Sequence, residues 1–502
     1  MHQPTTKGRP STMSNDSWRP KLHIAPYNGS ISDPNGLCQF KGTYHFFCQN
    51  APTYPGDFDS PHGWGHFASR DLVNYVFLGC HIFPGSPADA DGSYSGGAYI
   101  NEDADEVWFY YTGNVRDGEG DGTTSGRLAN QTLMRSYNGI NMEGKEVVLD
   151  NSGYPAYCSC HVRDPKVWKQ DGTLHMLLGA RTLADSRGAV MMYDSEDGYH
   201  WTMAGSVTNL DDAPFGYMWE CPDRIVLNGK EFLSTCPQGM TKAIESQGST
   251  RPTCQNVHAA GYFPIEGTIV DLLHKDTERM DAAAPRPGID QNTFVDWDYG
   301  FDFYACQTLV DEQGRTMLVG WMSLPHDEDD VRAYDNPTQT WRGVLTVPRV
   351  LTYCEKCGRI LQAPPKEIDD LRGDVHDFDG SVTLSKKCAD VVIDGIEGNG
   401  TIKFGDFLEL RFEDDGIAKL EFTDLSKSGD RKLRQAPIDK VRNVRILVDT
   451  SVLEIFVNDG AYVFGTRYFD ESDELTISHD LSAASQVWYP MDEVHVNYLV
   501  TR

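Results

Sequence analysis

Five times along the chain a polar turn is followed by a short aromatic-aliphatic run. Tyr44 to Gln49 follows Lys41-Gly42, Val107 to Gly113 follows Asp105-Glu106, and Leu174 to Gly179 follows Asp171-Gly172. Phe232 to Cys236 then follows Asn228-Gly229, and Met317 to Met322 follows Gln313-Gly314. Successive runs begin 58 to 85 residues apart. Short runs of this composition between turn residues are strands, and no intervening stretch keeps a long 3.6-residue period. Five near-equivalent all-β units predict radial repetition, a propeller with about four strands per blade. A pair of packed sheets is the alternative, because the repeat is degenerate.

A chain of 502 residues is expected to hold two domains, one of them large. The propeller is expected over residues 19–361, behind a loose polar leader over 1–18 that is rich in Thr, Ser, Pro and Asn. Residues 362–374 form the expected linker, where Gln362 to Asp370 carries Pro364-Pro365 and several charges. From residue 375 the pattern changes to an antiparallel β-sandwich. Its expected strands are Val382–Leu384, Ala389–Ile393, Phe404–Phe412, Ile417–Phe422, Val444–Val448, Leu453–Val457 and Val494–Leu499. Hairpin signals stand at Asp394-Gly395 and Asn458-Asp459-Gly460. A support or carbohydrate-contact role is expected for this second domain.

The formal charge of -30, from 74 acidic and 44 basic side chains, argues against a nucleic-acid or anionic-membrane partner. The leader has neither a signal-peptide apolar segment nor a transmembrane stretch. The twelve cysteines are scattered, several of them (Cys48, Cys236, Cys306) inside apolar runs. That suits buried thiols in a reducing compartment, the cytoplasm. Cys354 and Cys357 lack the second ligand pair that a zinc site needs, so the pair reads as structural. No metal or cofactor is expected, and the chain is expected to be a monomer or homo-oligomer.

Three carboxylates have unusual neighbours. Asp33 stands in Ser32-Asp33-Pro34-Asn35-Gly36, whose Asp-Pro and Asn-Gly pairs predict a turn at the rim of a sheet. Asp164 stands in Arg163-Asp164-Pro165, where a permanent cation favours the ionised form. Glu220 stands between Trp219 and Cys221, and an apolar setting of that kind raises a glutamate pKa, as a general acid requires. A low-pKa carboxylate opposite a high-pKa carboxyl is the equipment for cleaving a glycosidic bond. Trp64, Tyr94, Trp219, Trp297 and Tyr299 are the expected sugar-stacking aromatics.

In order, the chain carries Ser32-Asp33-Pro34-Asn35-Gly36, Gln49, Trp64-Gly65-His66, Tyr94-Ser95-Gly96-Gly97, Arg163-Asp164-Pro165 and Glu220-Cys221-Pro222. Trp297-Asp298-Tyr299-Gly300-Phe301-Asp302-Phe303-Tyr304-Ala305, Trp341-Arg342-Gly343 through Pro348-Arg349, and Val448-Asp449-Thr450-Ser451 with Glu454 to Gly460 follow. This ordered set resembles glycoside hydrolase family 32, the invertases, sucrose-6-phosphate hydrolases, inulinases and levanases. The resemblance implies a five-bladed propeller followed by a β-sandwich, acting on terminal β-D-fructofuranosides such as sucrose and short fructo-oligosaccharides.

It also implies roles: Asp33 as nucleophile at C2 of fructose, Glu220 as acid and then base, and Asp164 as the stabiliser of the transition state. Ser32, Asn35, Gln49, Trp64, Ser95, Arg163, Asp223 and Trp297 are the substrate-binding residues it implies. Two positions depart from the family pattern. Ser32 replaces an asparagine, and Gly97 replaces a hydroxyl residue. Lys166 and Arg181 are candidates for reading a 6-phosphate, so sucrose-6-phosphate hydrolysis is one alternative. Fructosyl transfer and a non-catalytic carbohydrate-binding protein are the others.

Overall fold

The computed structural model describes residues 18–52, 62–240, 254–274, 286–323, 340–429 and 431–498. Five sheets, each built on four antiparallel strands, follow one another in the order of the sequence. Blade I holds Gly29–Phe40, Thr43–Ala51, Gly63–Ser69 and Asn74–Ile82, and blade II holds Ser93–Asn101, Glu106–Arg116, Arg127–Ser136 and Glu143–Leu149. Blade III holds Cys158–Gln170, Thr173–Thr182, Gly188–Ser195 and Thr202–Asn209. Blade IV holds Met218–Leu227, Lys230–Gln238, Gly261–Ile265 and Val295–Asp296, and blade V holds Tyr304–Val310, Thr316–Trp321, Arg349–Cys354 and Arg359–Ala363. This is a five-bladed propeller.

The five recurring runs are the second strands of the five blades. They read as continuous apolar runs because neighbouring blades cover both faces, so the usual in-out alternation is lost: Val107 through Tyr111 are all buried. The turns before them are tight hairpins with two positive φ angles, at Asp171-Gly172 (50° and 89°) and Asn228-Gly229 (51° and 75°).

The first strand of each blade was less legible. Ser32 to Gly36 is no turn; it lies inside the strand Gly29–Phe40. Its Asp-Pro and Asn-Gly pairs instead accommodate two register slips, between Ile31 and Pro34 and between Asn35 and Cys38. A matching slip falls between Ser93 and Gly96, between Glu220 and Asp223, and between Tyr304 and Gln307. In blade III Arg163 and Lys166 face Gly179 and Leu177, so that strand too carries one extra residue. Each blade thus has a β-bulge at the same point of its first strand, and bulges re-aim side chains. Asp164, Cys221 and Ala305 take the left-handed conformation there, with φ of 65°, 49° and 50°.

Two six-stranded sheets beginning at His376 form the β-sandwich. The stretch expected as one strand over Phe404–Phe412 is a hairpin, Gly400–Phe404 and Leu408–Phe412, turning at Gly405. Asp394-Gly395 does not close a hairpin, because Ala389–Asp394 and Gly400–Phe404 belong to different sheets. Val494–Leu499 also departs from expectation. His495–Tyr498 leaves the sandwich and pairs parallel with Asn74–Ile82 on blade I. Residues 1–17 of the expected leader lie outside the described residues, but Trp18 is not loose. It is buried edge-on against Phe469, and its carbonyl accepts the Ser451 hydroxyl at 2.6 Å.

A fully buried charge network joins propeller to sandwich. His23 Nδ1 lies 2.7 Å from Asp449 and its Nε2 lies 2.9 Å from Glu454. Glu454 also accepts from Arg349 Nε at 2.7 Å, and Arg349 reaches Asp298 at 2.9 Å. Burial alone pushes the His23 imidazole down, but the hydrogen bonds and charges of Asp449 and Glu454 override it and lift it to about 9.

Candidate active site

The bulges carry equivalent tetrapeptides: Arg163-Asp164-Pro165-Lys166, Glu220-Cys221-Pro222-Asp223 and Tyr304-Ala305-Cys306-Gln307 in blades III, IV and V. Their first members bond to one another across the blades. Arg163 Nε donates to Glu220 Oε1 at 2.9 Å, and the Tyr304 hydroxyl donates to Glu220 Oε2. Asp164 Oδ2 accepts the Cys221 N–H at 2.9 Å, and the Asp164 N–H donates to Thr112 Oγ1 at 3.1 Å. Between blades I and II, the Ser95 hydroxyl donates to Asp33 Oδ2 at 2.7 Å. The Ser32 hydroxyl, at the position where an asparagine amide was expected, weakly favours the ionised form of Asp33.

Burial, and next the charge of Glu220, push Asp33 up to about 6. Asp164 is also pushed up, first by burial and further by Glu220, with Arg163 opposing. Arg163 was expected to hold Asp164 ionised. Its fork is instead spent on Glu220, and its Nε stays 3.9 Å from Asp164. The apolar setting expected for Glu220 is absent as well, because successive residues of a strand face opposite sides. Trp219 points into the blade core, 5.5 Å from the Phe263 ring, while Glu220 faces Arg163 and Tyr304.

Asp223 belongs to the layer below. Its carboxylate accepts the Thr308 N–H at 2.7 Å and the Thr308 hydroxyl at 2.9 Å, and lies 3.2 Å from Lys166 Nζ. Lys166 Nζ also donates to the Thr308 carbonyl at 2.8 Å. A Cβ on Gly97 would stand 3.2 Å from Lys166 Cδ, so glycine here makes room for the lysine stem. Gln307 Nε2 donates to the Gly96 carbonyl at 3.1 Å. Lys166 is thus consumed internally and is not free to meet a phosphate. Beneath this layer a cavity of about 560 Å³ opens, lined by Cys38, Tyr99, Trp168, Arg224 and Val310 among others.

Four other expected binding residues serve as supports. Asn35 is fully buried and its Oδ1 accepts the Gly96 N–H at 3.3 Å. Gln49 donates to the Ser93 carbonyl at 3.0 Å, bracing the segment that presents Ser95. Trp64 is fully buried among Phe47, Phe109 and Tyr111 and donates to the Tyr94 carbonyl at 3.0 Å. Trp297 is fully buried against Tyr262, its indole donating to Ser234 at 2.9 Å. Tyr299 packs into the sandwich core. Burial removes Trp64, Trp297 and Tyr299 as stacking platforms, whereas Tyr94 stays half-buried beside Ser95. Tyr304 is the functional residue that motif reading missed.

All twelve cysteines are free thiols, and Cys48, Cys236 and Cys306 are buried. Among the described residues His175, Asp194 and His274 cluster closely enough to suggest a metal. Their N–O separations of 2.6 and 2.7 Å are hydrogen-bond lengths, shorter than the spacing of two ligands on one ion, and the cluster is remote from the acids. No described helix is long and apolar enough to cross a membrane.

Carboxyl groups gathered at the axis of a propeller, one of them held by an arginine and a tyrosine, are the apparatus of a glycoside hydrolase. The chain belongs to glycosyl hydrolases family 32: the family's N-terminal domain profile matches residues 23–364 and its C-terminal profile residues 417–489. Over 478 residues it is 33% identical to the sucrose-6-phosphate hydrolase of Bacillus subtilis, covering 91% of this chain and 90% of that one. Among solved structures, the sucrose-6-phosphate hydrolase of Lactobacillus gasseri matches with a TM-score of 0.78 at 25% identity, covering 96% and 94% of the two chains. A Bombyx mori GH32 beta-fructofuranosidase matches with a TM-score of 0.74 at 26% identity, covering 96% and 95%.

Proposed function

We propose that the protein hydrolyses terminal non-reducing β-D-fructofuranosides with retention, through Asp33 and Glu220. The ionised Asp33 attacks C2 of the fructosyl ring while the C2–O bond to the leaving sugar breaks, and Glu220 gives its proton to the departing oxygen. Glu220 then takes a proton from water as that water attacks C2, which frees Asp33. Asp164 stabilises the oxocarbenium character that develops in the transition state of each step. Sucrose and short fructo-oligosaccharides are the substrates, and the names of the sucrose-6-phosphate hydrolases support a phosphorylated sucrose as a further one. The cytoplasm is the proposed location. Residues 19–361 form the catalytic domain and 375–502 its support, joined by the linker 362–374.

The carrying observation is the convergence of Asp33, Asp164 and Glu220 at one end of the axis, where the charge of Glu220 pushes both aspartates up and that of Asp33 adds to the push on Asp164. The test is release of fructose from sucrose, kestose and inulin by wild type, Asp33→Asn and Glu220→Gln. A loss of about 10³-fold or more in either variant supports the pair. Substantial residual activity in both rejects it.

A further inference from the structure

The mouth above Glu220 holds more positive charge than the acids consume. Arg127 opens the third strand of blade II, with its guanidinium 5.6 Å from the ring of Tyr94, the neighbour of Ser95. Arg181 lies near the end of the second strand of blade III, with its guanidinium 5.0 Å from the ring of Tyr217. It stands two residues beyond Gly179, the strand partner of Arg163, and Tyr217 stands three residues before Glu220. Both arginines therefore sit at the end of their blades that carries the bulges.

His161 is buried, its Nε2 bonded at 2.9 Å to the carbonyl of Gly122, where a Cβ would stand 3.8 Å from Arg127 Nη2. Its imidazole is pushed far down, first by burial and then by the charges of Arg163, Arg127 and Arg181. The charges of all three guanidinium groups thus reach one side chain, and among the described residues only Arg163 has a carboxylate. Among the described residues Arg127 makes no ion pair, and Arg181 is bonded only to the Ser186 hydroxyl at 3.0 Å, leaving its buried Nε unpartnered. Half-buried arginines elsewhere are neutralised, as Arg445 is by Asp369 and Asp390 and Arg372 by Asp390. Two cations beside an acid site that no described carboxylate compensates, in a chain of net charge -30, suit an anion from outside.

We infer that Arg127 and Arg181 form an anion-binding pair on the leaving-group side of the fructosyl site, reading a phosphomonoester on the departing hexose. The inference rests on the fructosidase reading above. Guanidinium forks match phosphate oxygens two at a time, and two cations balance the dianion. Tyr94 and Tyr217, under the two guanidinium groups, hold them in place without neutralising them. With Lys166 tied to Asp223 and Thr308, the phosphate-reading role passes to this pair.

The test is the ratio of kcat/KM on sucrose 6-phosphate to that on sucrose, for wild type, Arg127→Gln and Arg181→Gln. Wild type is expected to favour the phosphorylated substrate, and each variant to lose about 10- to 100-fold of that ratio. Product inhibition of wild type needs no variant: glucose 6-phosphate should inhibit more strongly than glucose, and added salt should erase the difference. An unchanged ratio, with both substrates losing alike, overturns the assignment and leaves the arginines structural. So does a wild type that ignores the phosphate in both rate and inhibition. Failure of wild type to release fructose from any fructoside is a different result, and it overturns the fructosidase reading itself.

Discussion

Replacing His23 by glutamine removes the one cation among the described residues that touches both Asp449 and Glu454. Each imidazole nitrogen contacts a carboxylate oxygen, so both must donate and the ring must be the imidazolium. The folded pKa of about 9 lies above the ordinary value of 6.5, so the bound proton stabilises the fold. That contribution is complete below pH 6.5 and is lost as pH rises through 9. At 1.36 kcal/mol per unit it amounts to about 3 kcal/mol. Removing one partner of a buried ion pair costs about 3–5 kcal/mol, so His23→Gln should lose that much at pH 6.5. Its stability should then change little between pH 6.5 and 9. Urea unfolding followed by tryptophan fluorescence at the two pH values measures both effects. A variant as stable as wild type at pH 6.5, or a wild type equally stable at both, would refute the charged lock.

The raised Asp33 predicts an acid limb of kcat/KM near pH 6, since the nucleophile must be ionised and activity falls below that pH. Ser95→Ala removes the 2.7 Å donor to the ionised form and should move the limb to higher pH; a limb near 4 in wild type contradicts the burial argument. Tyr304→Phe withdraws a donor from Glu220 and should lower kcat by about 10- to 100-fold while the protein stays folded by circular dichroism. Lys166→Met leaves Asp223 buried without its cation and should cost about 3–5 kcal/mol in urea unfolding. The ratio of activity on sucrose 6-phosphate to sucrose should stay at the wild-type value in that variant, unlike in the Arg127 and Arg181 variants.

The propeller was legible because each second strand is buried on both faces, which gives Val107 to Gly113 and its four counterparts the same look. The first strands hid because their bulges need proline, glycine and small polar residues, which read locally as turns. Asp33, Asp164 and Glu220 stood out through their motifs, but their surroundings were misjudged from neighbours in sequence. Trp219 and Cys221 flank Glu220 in the chain but pack into the separate cores on either side of the blade, and Arg163 passes over Asp164 to reach Glu220. Trp64 and Trp297 look like sugar platforms by their aromatic rings alone, and only packing reveals that those rings are core. Aligning Arg163 to Lys166, Glu220 to Asp223 and Tyr304 to Gln307 as one repeated tetrapeptide would have exposed Tyr304. It would also have separated the layer of Asp223 from the layer of Glu220.

The most direct test of the mechanism is quenched mass spectrometry of Glu220→Gln supplied with a fructoside whose leaving group departs without protonation. A covalent fructosyl unit on the peptide containing Asp33 is the predicted result. An adduct on the peptide containing Asp164, or turnover with no adduct on any carboxylate, would contradict it.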